Sequence, residues 1–287
     1  MDANSPRGGI CTEKLIIAVA PTGSVPRKKD TPYLPVTPDE IAETAYLCEQ
    51  EGASIIHVHC RDENENPTSE FQKFKETVDK IRKKTRLIVM VSTSGVAGKS
   101  DEERAEPLKT SPEMASLTTG TINFAGRNPP IIYINHPETI EFLALKMKEH
   151  GIKPELEIFD LGLIQQGVKL VQRGLVQKPP HFQLVLGVDG GVPANAENLI
   201  HMKRQLPSES SFSVAAIGRA QLEATTLSIL MGGHVRIGLE DNIYFRKGQL
   251  APNEAFVIRI REIAQELKRE IATPDEARAI LSLSDRK

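Results

Sequence analysis

Two histidines one residue apart, His57 and His59, close the apolar run Ser54-Ile55-Ile56-His57-Val58-His59. In a β-strand, residues i and i+2 share a face, so the two imidazoles would project together while Val58 points the other way. Such pairs hold metal ions, and they also occur as hydrogen-bonded structural pairs; spacing alone leaves both readings open. A second concentration of chemistry comes late in the chain, at Arg236, Glu240 and Asp241. Consecutive residues face differently, so Glu240 can offer a ligand oxygen while Asp241 stays available as a base. Arg236 shares a strand face with Gly238 and Glu240 and is suited to hold that base or an anionic substrate. The alternative is an ordinary ion pair between Arg236 and Asp241.

Residues so far apart meet only if the chain closes on itself. Apolar runs at 15–20, 54–59, 87–91, 114–117, 155–159, 182–186, 213–217 and 235–239 predict strands. Helical spacing predicts helices at 38–51, 70–83, 101–108 (broken by Pro107), 137–150, 161–173, 196–205, 221–231 and 253–269, with a last one at 274–283. Thr37-Pro38-Asp39-Glu40 supplies a cap, an N1 proline and first-turn acids for the first of these. Residues 122–124 and 131–134 read as an excursion above the fourth strand. Eight β/α units without a linker or a composition break predict one (β/α)8 TIM barrel domain across 1–287, with 1–13 a flexible N-terminal segment and 273–284 a C-terminal helical extension.

In such barrels the active site lies at the C-terminal ends of the strands, so Thr22, His57, His59, Ser92, Thr118, the turn 187–191, Glu240 and Asp241 would face one another. Closure sets strand eight beside strand one, and strand one beside strand two. Two spacings of ~4.8 Å put the ends of strands eight and two roughly 10 Å apart, a gap that two imidazoles and a carboxylate can bridge around a cation. His57, His59 and Glu240 with open positions remaining are the donor set of a catalytic zinc; structural zinc takes four protein ligands. Ser92-Thr93-Ser94-Gly95 is a small polar turn suited to binding. Gly187, Gly190 and Gly191 serve either tight turns or a ligand. His136, His181, His201 and His234 have no partner at ligand spacing and read as structural or solvated.

A net charge of -2 gives no basic footprint for nucleic acid, and no apolar run approaches the ~20 residues needed to span a bilayer. Met1 to Gly9 is polar, and the three cysteines, Cys11, Cys48 and Cys60, are odd in number and widely spaced. A cytoplasmic protein with reduced thiols is expected, Cys60 being core filler. No Gly-x-Gly-x-x-Gly or Walker A sequence precedes a helix, which leaves nucleotide-binding folds without support.

Several separate segments carry a resemblance. They are Leu-Pro-Val-Thr-Pro-Asp-Glu-Ile-Ala at 34–42, Gly-Ala-Ser-Ile-Ile-His-Val-His at 52–59, Arg61-Asp62, Val91-Ser92-Thr93, Pro112-Glu113-Met114-Ala115, Ile134-Asn135-His136-Pro137, Leu186-Gly187-Val188 with Gly190-Gly191, and the run from Gly232 to Asn242. Together they resemble the β-keto acid cleavage enzymes. The resemblance implies a zinc-dependent (β/α)8 enzyme, usually a homotetramer, that condenses a β-keto acid with acetyl-CoA to give acetoacetate and an acyl-CoA. It implies His57, His59 and Glu240 as zinc ligands, Asp241 supported by Arg236 as the base that forms the enolate, and Ser92, Gly95 and Ser116 as holders of the substrate carboxylate. Ser116 stands where the aminohexanoate-cleaving members have threonine, which keeps the hydroxyl. Val25 stands where they have a glutamate that meets the substrate's amino group, which points away from a cationic substrate and toward a neutral or anionic one. Arg27, Lys28 and Arg127 are then candidate partners for a second carboxylate. A metal-dependent aldolase-type acyl-CoA lyase and a non-catalytic metabolite-binding barrel are the alternatives.

Overall fold

The computed structural model describes residues 13–94, 98–125 and 130–283. The expected flexible segment 1–13 falls outside the described residues except for Glu13, and so do Cys11, Gly95 and Arg127. Eight parallel strands, β1 (Ile17–Val19), β2 (Ile55–Val58), β3 (Ile88–Val91), β4 (Met114–Thr118), β5 (Lys153–Ile158), β6 (His181–Leu186), β7 (Ser211–Ala216) and β8 (His234–Ile237), form a closed barrel in sequence order. It is the expected (β/α)8 barrel. Closure pairs Ile17 with Val235 and Ala18 with Arg236 on one side of β1, and Ala18 with Ile55 on the other.

The strands are short because each needs only enough length to bury both faces, and all eight are almost wholly buried. Between strands lie helices whose apolar stripes cover the outside of the barrel: Ile41, Ala45 and Cys48 of α1 (Pro38–Gln50), and Phe74, Val78 and Ile81 of α2 (Phe71–Lys84), belong to one continuous core with Val19, Ile56 and Val89. Thr37 and Glu40 form the reciprocal cap that starts α1. The helix broken at Pro107 ends at Ala105, and residues Glu106–Thr110 continue as a 3₁₀ turn, since proline cannot donate the hydrogen bond an α-helix needs there. The excursion above β4 is an antiparallel hairpin of Ile122–Phe124 with Ile131–Tyr133. Cys48 and Cys60 are both buried, the latter's thiol donating to Thr77 Oγ1 at 3.4 Å. No described helix is long and apolar enough to cross a membrane.

The last helix, Pro274–Ile280, is shorter than expected and sits under the N-terminal end of the barrel. Ala272, Ala277 and Leu281 pack there against Ile16, Ala18, Ile55, Met90 and Met114 from inside the strands. Strand β5 begins two residues earlier than its apolar run, at a lysine. Buried Lys153 is tolerated because its ammonium donates to Pro179 O at 2.7 Å and Leu281 O at 2.5 Å, tying the strand to the plug. With one end filled, the site belongs to the other.

At that other end Gly238 follows β8 with φ at +130°, and a Cβ there would lie 2.4 Å from Ala20 O. Gly238→Ala is therefore expected to cost about 1–3 kcal/mol through backbone strain and loss of the β8–β1 approach, read as a lower urea midpoint with an unchanged m-value. A second expectation concerns pH. Burial pulls Lys153 down to about 8 from its ordinary 10.5. Between those values the unfolded chain holds a proton the folded one lacks, so stability should rise with pH across that window, the penalty being fully present below about 8. Denaturation curves at several pH values should show that rise in the wild type and a flatter profile in Lys153→Met.

Candidate active site

The C-terminal strand ends open into a cavity of about 650 Å³, whose wall includes His59, Ser92, Thr118, Glu157, Arg236, Glu240 and Asp241. His57 is the third residue of β2 and is buried; the strand stops at Val58, and His59 stands just past its end. The imidazoles still meet, edge to face, with ring centres 5.0 Å apart. Glu240 reaches them from beyond β8. Its Oε1 lies 3.5 Å from His59 Nε2 and its Oε2 3.9 Å from His57 Nε2. One ligand atom from each of the three residues falls within 4.8 Å of the others, the group of that kind found among the described residues.

Glu240 is aimed by its surroundings. Gly23, in the loop after β1 with φ at +59°, leaves room for it: a Cβ there would stand 2.4 Å from Glu240 Cγ. Arg236 Nη2 donates to Glu240 Oε1 at 2.7 Å, and Arg236 Nε and Nη2 grip Asp241 at 3.0 and 2.9 Å. Its Nη1 stands 3.6 Å from Glu157 Oε1. One buried guanidinium thus serves both consecutive carboxylates, which the sequence suggested would face apart.

The charges divide accordingly. Burial alone would raise Glu240, but Arg236 and then the two imidazoles outweigh it and hold the carboxyl well below its usual range. Burial lifts Asp241 to about 6 despite Arg236, with Glu240 reinforcing the rise. Burial also drives His57 well below an ordinary imidazole, more than Glu240 pulls it back, so its ring is neutral at neutral pH. A neutral imidazole and an ionised carboxylate are the forms that bind a cation. Two buried atoms of the group, His57 Nδ1 and Glu240 Oε2, have no hydrogen-bond partner among the described residues. A charged oxygen left so, facing an imidazole nitrogen, fits a divalent ion between them: donors ~2.0–2.2 Å from a tetrahedral centre stand a little over 3 Å apart.

The polar turn after β3 is also organised. Ser92 Oγ and Ser94 Oγ are 2.7 Å apart, and Thr93 Oγ1 donates to Ser116 O at 2.6 Å. Ser116 is buried behind this turn, its Oγ accepting from Thr93 N at 3.4 Å. Arg104, buried, props the turn from beneath by donating to Thr93 O, Asn135 Oδ1 and Tyr133 Oη. Val25 is 54% exposed and lines the cavity mouth. Thr22 turns away to donate to Pro35 O, while Gly187 and Asp189 reach the wall. Gly190 is small for a packing reason, a Cβ there falling 2.0 Å from Asn123 O. His181 and His234 lie buried at the opposite end, hydrogen-bonded to Ser211 Oγ and to Ile16 N. Glu157, which is not among the residues singled out from the sequence, accepts from Thr118 Oγ1 at 2.6 Å, and burial raises it to about 7 against the pull of Arg236. The alternation Glu155-Leu156-Glu157-Ile158 within a barrel strand was its signal, since it turns two carboxylates inward.

Comparison with known proteins adds independent findings. The chain is 44% identical over 273 residues to the 3-keto-5-aminohexanoate cleavage enzyme of Fusobacterium nucleatum subsp. nucleatum, covering 94% of this chain and 98% of that one. It is 40% identical to the 3-oxoadipate:acetyl-CoA acetyltransferase of Cupriavidus necator, covering 95% and 96%. Among solved structures, ObcA in ternary complex with a C4-CoA adduct and oxalate shares the fold, with a TM-score of 0.75 at 20% identity over 88% of this chain and 68% of that one. Residues 14–283 match the profile of the beta-keto acid cleavage enzymes, so the barrel, the donor set and the sequence relatives converge: the chain belongs to the β-keto acid cleavage enzyme family.

Proposed function

We propose that this enzyme is zinc-dependent and condenses a neutral or anionic β-keto acid with acetyl-CoA, releasing acetoacetate and the CoA ester of the remaining acyl group. The observation that carries the reading is the convergence of His57, His59 and Glu240, with an unpartnered buried Glu240 oxygen facing an imidazole nitrogen. Three protein ligands of this type suit zinc with an open position. Bound there, zinc would supply a Lewis acid that draws electron density from the substrate's keto group. The relative that acts on 3-oxoadipate is named for acetyl-CoA as its co-substrate, which supports the second reactant.

In this reading Asp241 takes a proton from the carbon between the keto and carboxylate groups of the acid. Its position is held by two hydrogen bonds from Arg236, and an acid near 6 is ionised at neutral pH yet strong enough as a base for an activated C–H. The resulting carbanion attacks the thioester carbonyl of acetyl-CoA. CoA leaves the acetyl carbon as a thiolate and adds to the original keto carbon; the bond between that carbon and its neighbour then breaks, and the acetoacetate carbanion so released takes back the proton held by Asp241. Ser92, together with Gly95, holds the substrate carboxylate; Ser94 fixes Ser92, and Ser116 steadies Thr93 from behind the turn. Val25 faces the remainder of the acid and offers an ammonium group no counter-charge. The protein acts as a single-domain homotetramer in the cytoplasm.

Elemental analysis and steady-state kinetics test this together. The purified wild type should carry zinc, and His57→Ala should lose both the metal and turnover; a wild type without zinc whose activity is indifferent to His57→Ala would sink the proposal. Asp241→Asn should keep its metal content while kcat falls ~100-fold or more. In a panel of β-keto acids, acetoacetate should accumulate only when acetyl-CoA is present; turnover in its absence would mark a lyase instead.

A further inference from the structure

The geometry points to Arg27 as the residue that selects substrates bearing a second carboxylate, so that the preferred β-keto acid is a dicarboxylic one; this rests on the β-keto acid reading above. Arg27 lines the same cavity as Glu240 and Asp241. Its Nη1 is buried and has no hydrogen-bond partner, and the side chain forms no ion pair among the described residues. A buried guanidinium N–H without an acceptor is costly unless a ligand completes it, and a carboxylate is the partner its planar fork fits best.

The neighbouring charges are already committed. Lys28 Nζ pairs with Glu40. Arg61 is spent on backbone carbonyls, donating to Glu65 O at 2.9 Å, Gly23 O at 2.7 Å and Thr22 O at 3.3 Å. Asp62, whose carboxyl is lowered chiefly by a backbone hydrogen bond from Asn66 and in smaller part by the Arg27 charge, accepts from Asn64 N and Asn66 N at 2.8 Å each, and the Asp30 carboxylate accepts from the Arg27 backbone N–H. Arg27 is left as a cation facing the cavity.

Its placement along the wall gives the span. Gly23 packs against Glu240, and Arg61 pins the carbonyls of Thr22 and Gly23, so the loop is anchored at the metal-ligand end. From Gly23 to Arg27 the chain can cover at most ~14 Å, and an arginine side chain can reach back along it. Val25 lies between and supplies an apolar face. A keto acid with its reacting end at Glu240 and Asp241 would run its methylenes past Val25 and present its far end to Arg27. The phosphates of CoA are the other anion that could enter this mouth, and the two sources separate experimentally.

The test compares 3-oxoadipate with 3-oxohexanoate, the same chain with and without the distal carboxylate, in wild type, Arg27→Gln and Arg27→Lys. Wild type should prefer 3-oxoadipate in kcat/KM. In Arg27→Gln the ratio should fall at least tenfold, through KM for the acid, and Arg27→Lys should recover part of it. An unchanged ratio with a raised KM for acetyl-CoA would assign Arg27 to CoA and overturn the inference, as would equal losses on both acids. Should neither acid turn over, the functional reading fails, and calorimetry of 3-oxoadipate binding then decides alone: equal affinity of wild type and Arg27→Gln overturns the Arg27 site, weaker binding by the variant upholds it.

Discussion

Arg236 is a single buried cation set against three carboxylates, those of Asp241, Glu240 and Glu157. Three buried acids this close would repel one another, and without a counter-charge one or more would take up a proton. The guanidinium is in turn kept charged by them: burial disfavours its ionised form, and Asp241 and Glu240 more than compensate. The position of Arg236 follows from barrel closure, since β8 pairs with β1 at Ala18. Closure sets Arg236, Arg236 occupies Glu240 Oε1, and Oε2 is thereby left to face His57.

Close backbone approach makes that chain of dependence rigid. Gly23 and Gly238 each lie where a side chain would strike, the first against Glu240 and the second against Ala20. Two loops that deliver chemistry from opposite ends of the sequence can therefore pack directly on one another. The helix under the opposite end matters for the same reason. With Leu281 and Ala277 filling the floor, the inward side chains of the strands have fixed neighbours below and the polar groups gather above.

Much of this was legible in the sequence, for identifiable reasons. Apolar runs bounded by glycine, proline and caps gave all eight strands, because a buried parallel strand leaves a continuous hydrophobic signature. The meeting of His57, His59 and Glu240 follows once the barrel closes, because adjacency of strands eight, one and two is a property of the topology. His57 and His59 meet although β2 ends at Val58, so strand alternation alone does not account for the pair and the residue just past the strand completes it. Contacts between remote residues were not legible. Arg104 supporting Thr93 from a helix, with Tyr133 and Asn135 from the hairpin region, has no local pattern, nor does the unpartnered nitrogen of Arg27.

The two consecutive acids show why such sites need a structure as well as a motif. Glu240 and Asp241 are buried alike and share one arginine, yet their acidities move in opposite directions. The imidazoles make the difference. After Arg236, His59 and then His57 favour ionised Glu240, whereas the charge of Glu240 pushes Asp241 up and His59 lowers it less than Arg236 does. A carboxylate surrounded by cation and imidazoles is a poor proton acceptor and a good ligand. Its neighbour, held by the arginine but pressed by an adjacent negative charge, retains basicity. One peptide unit of separation, set against the positions of His57 and His59, is what would divide coordination from proton transfer in the proposed reaction.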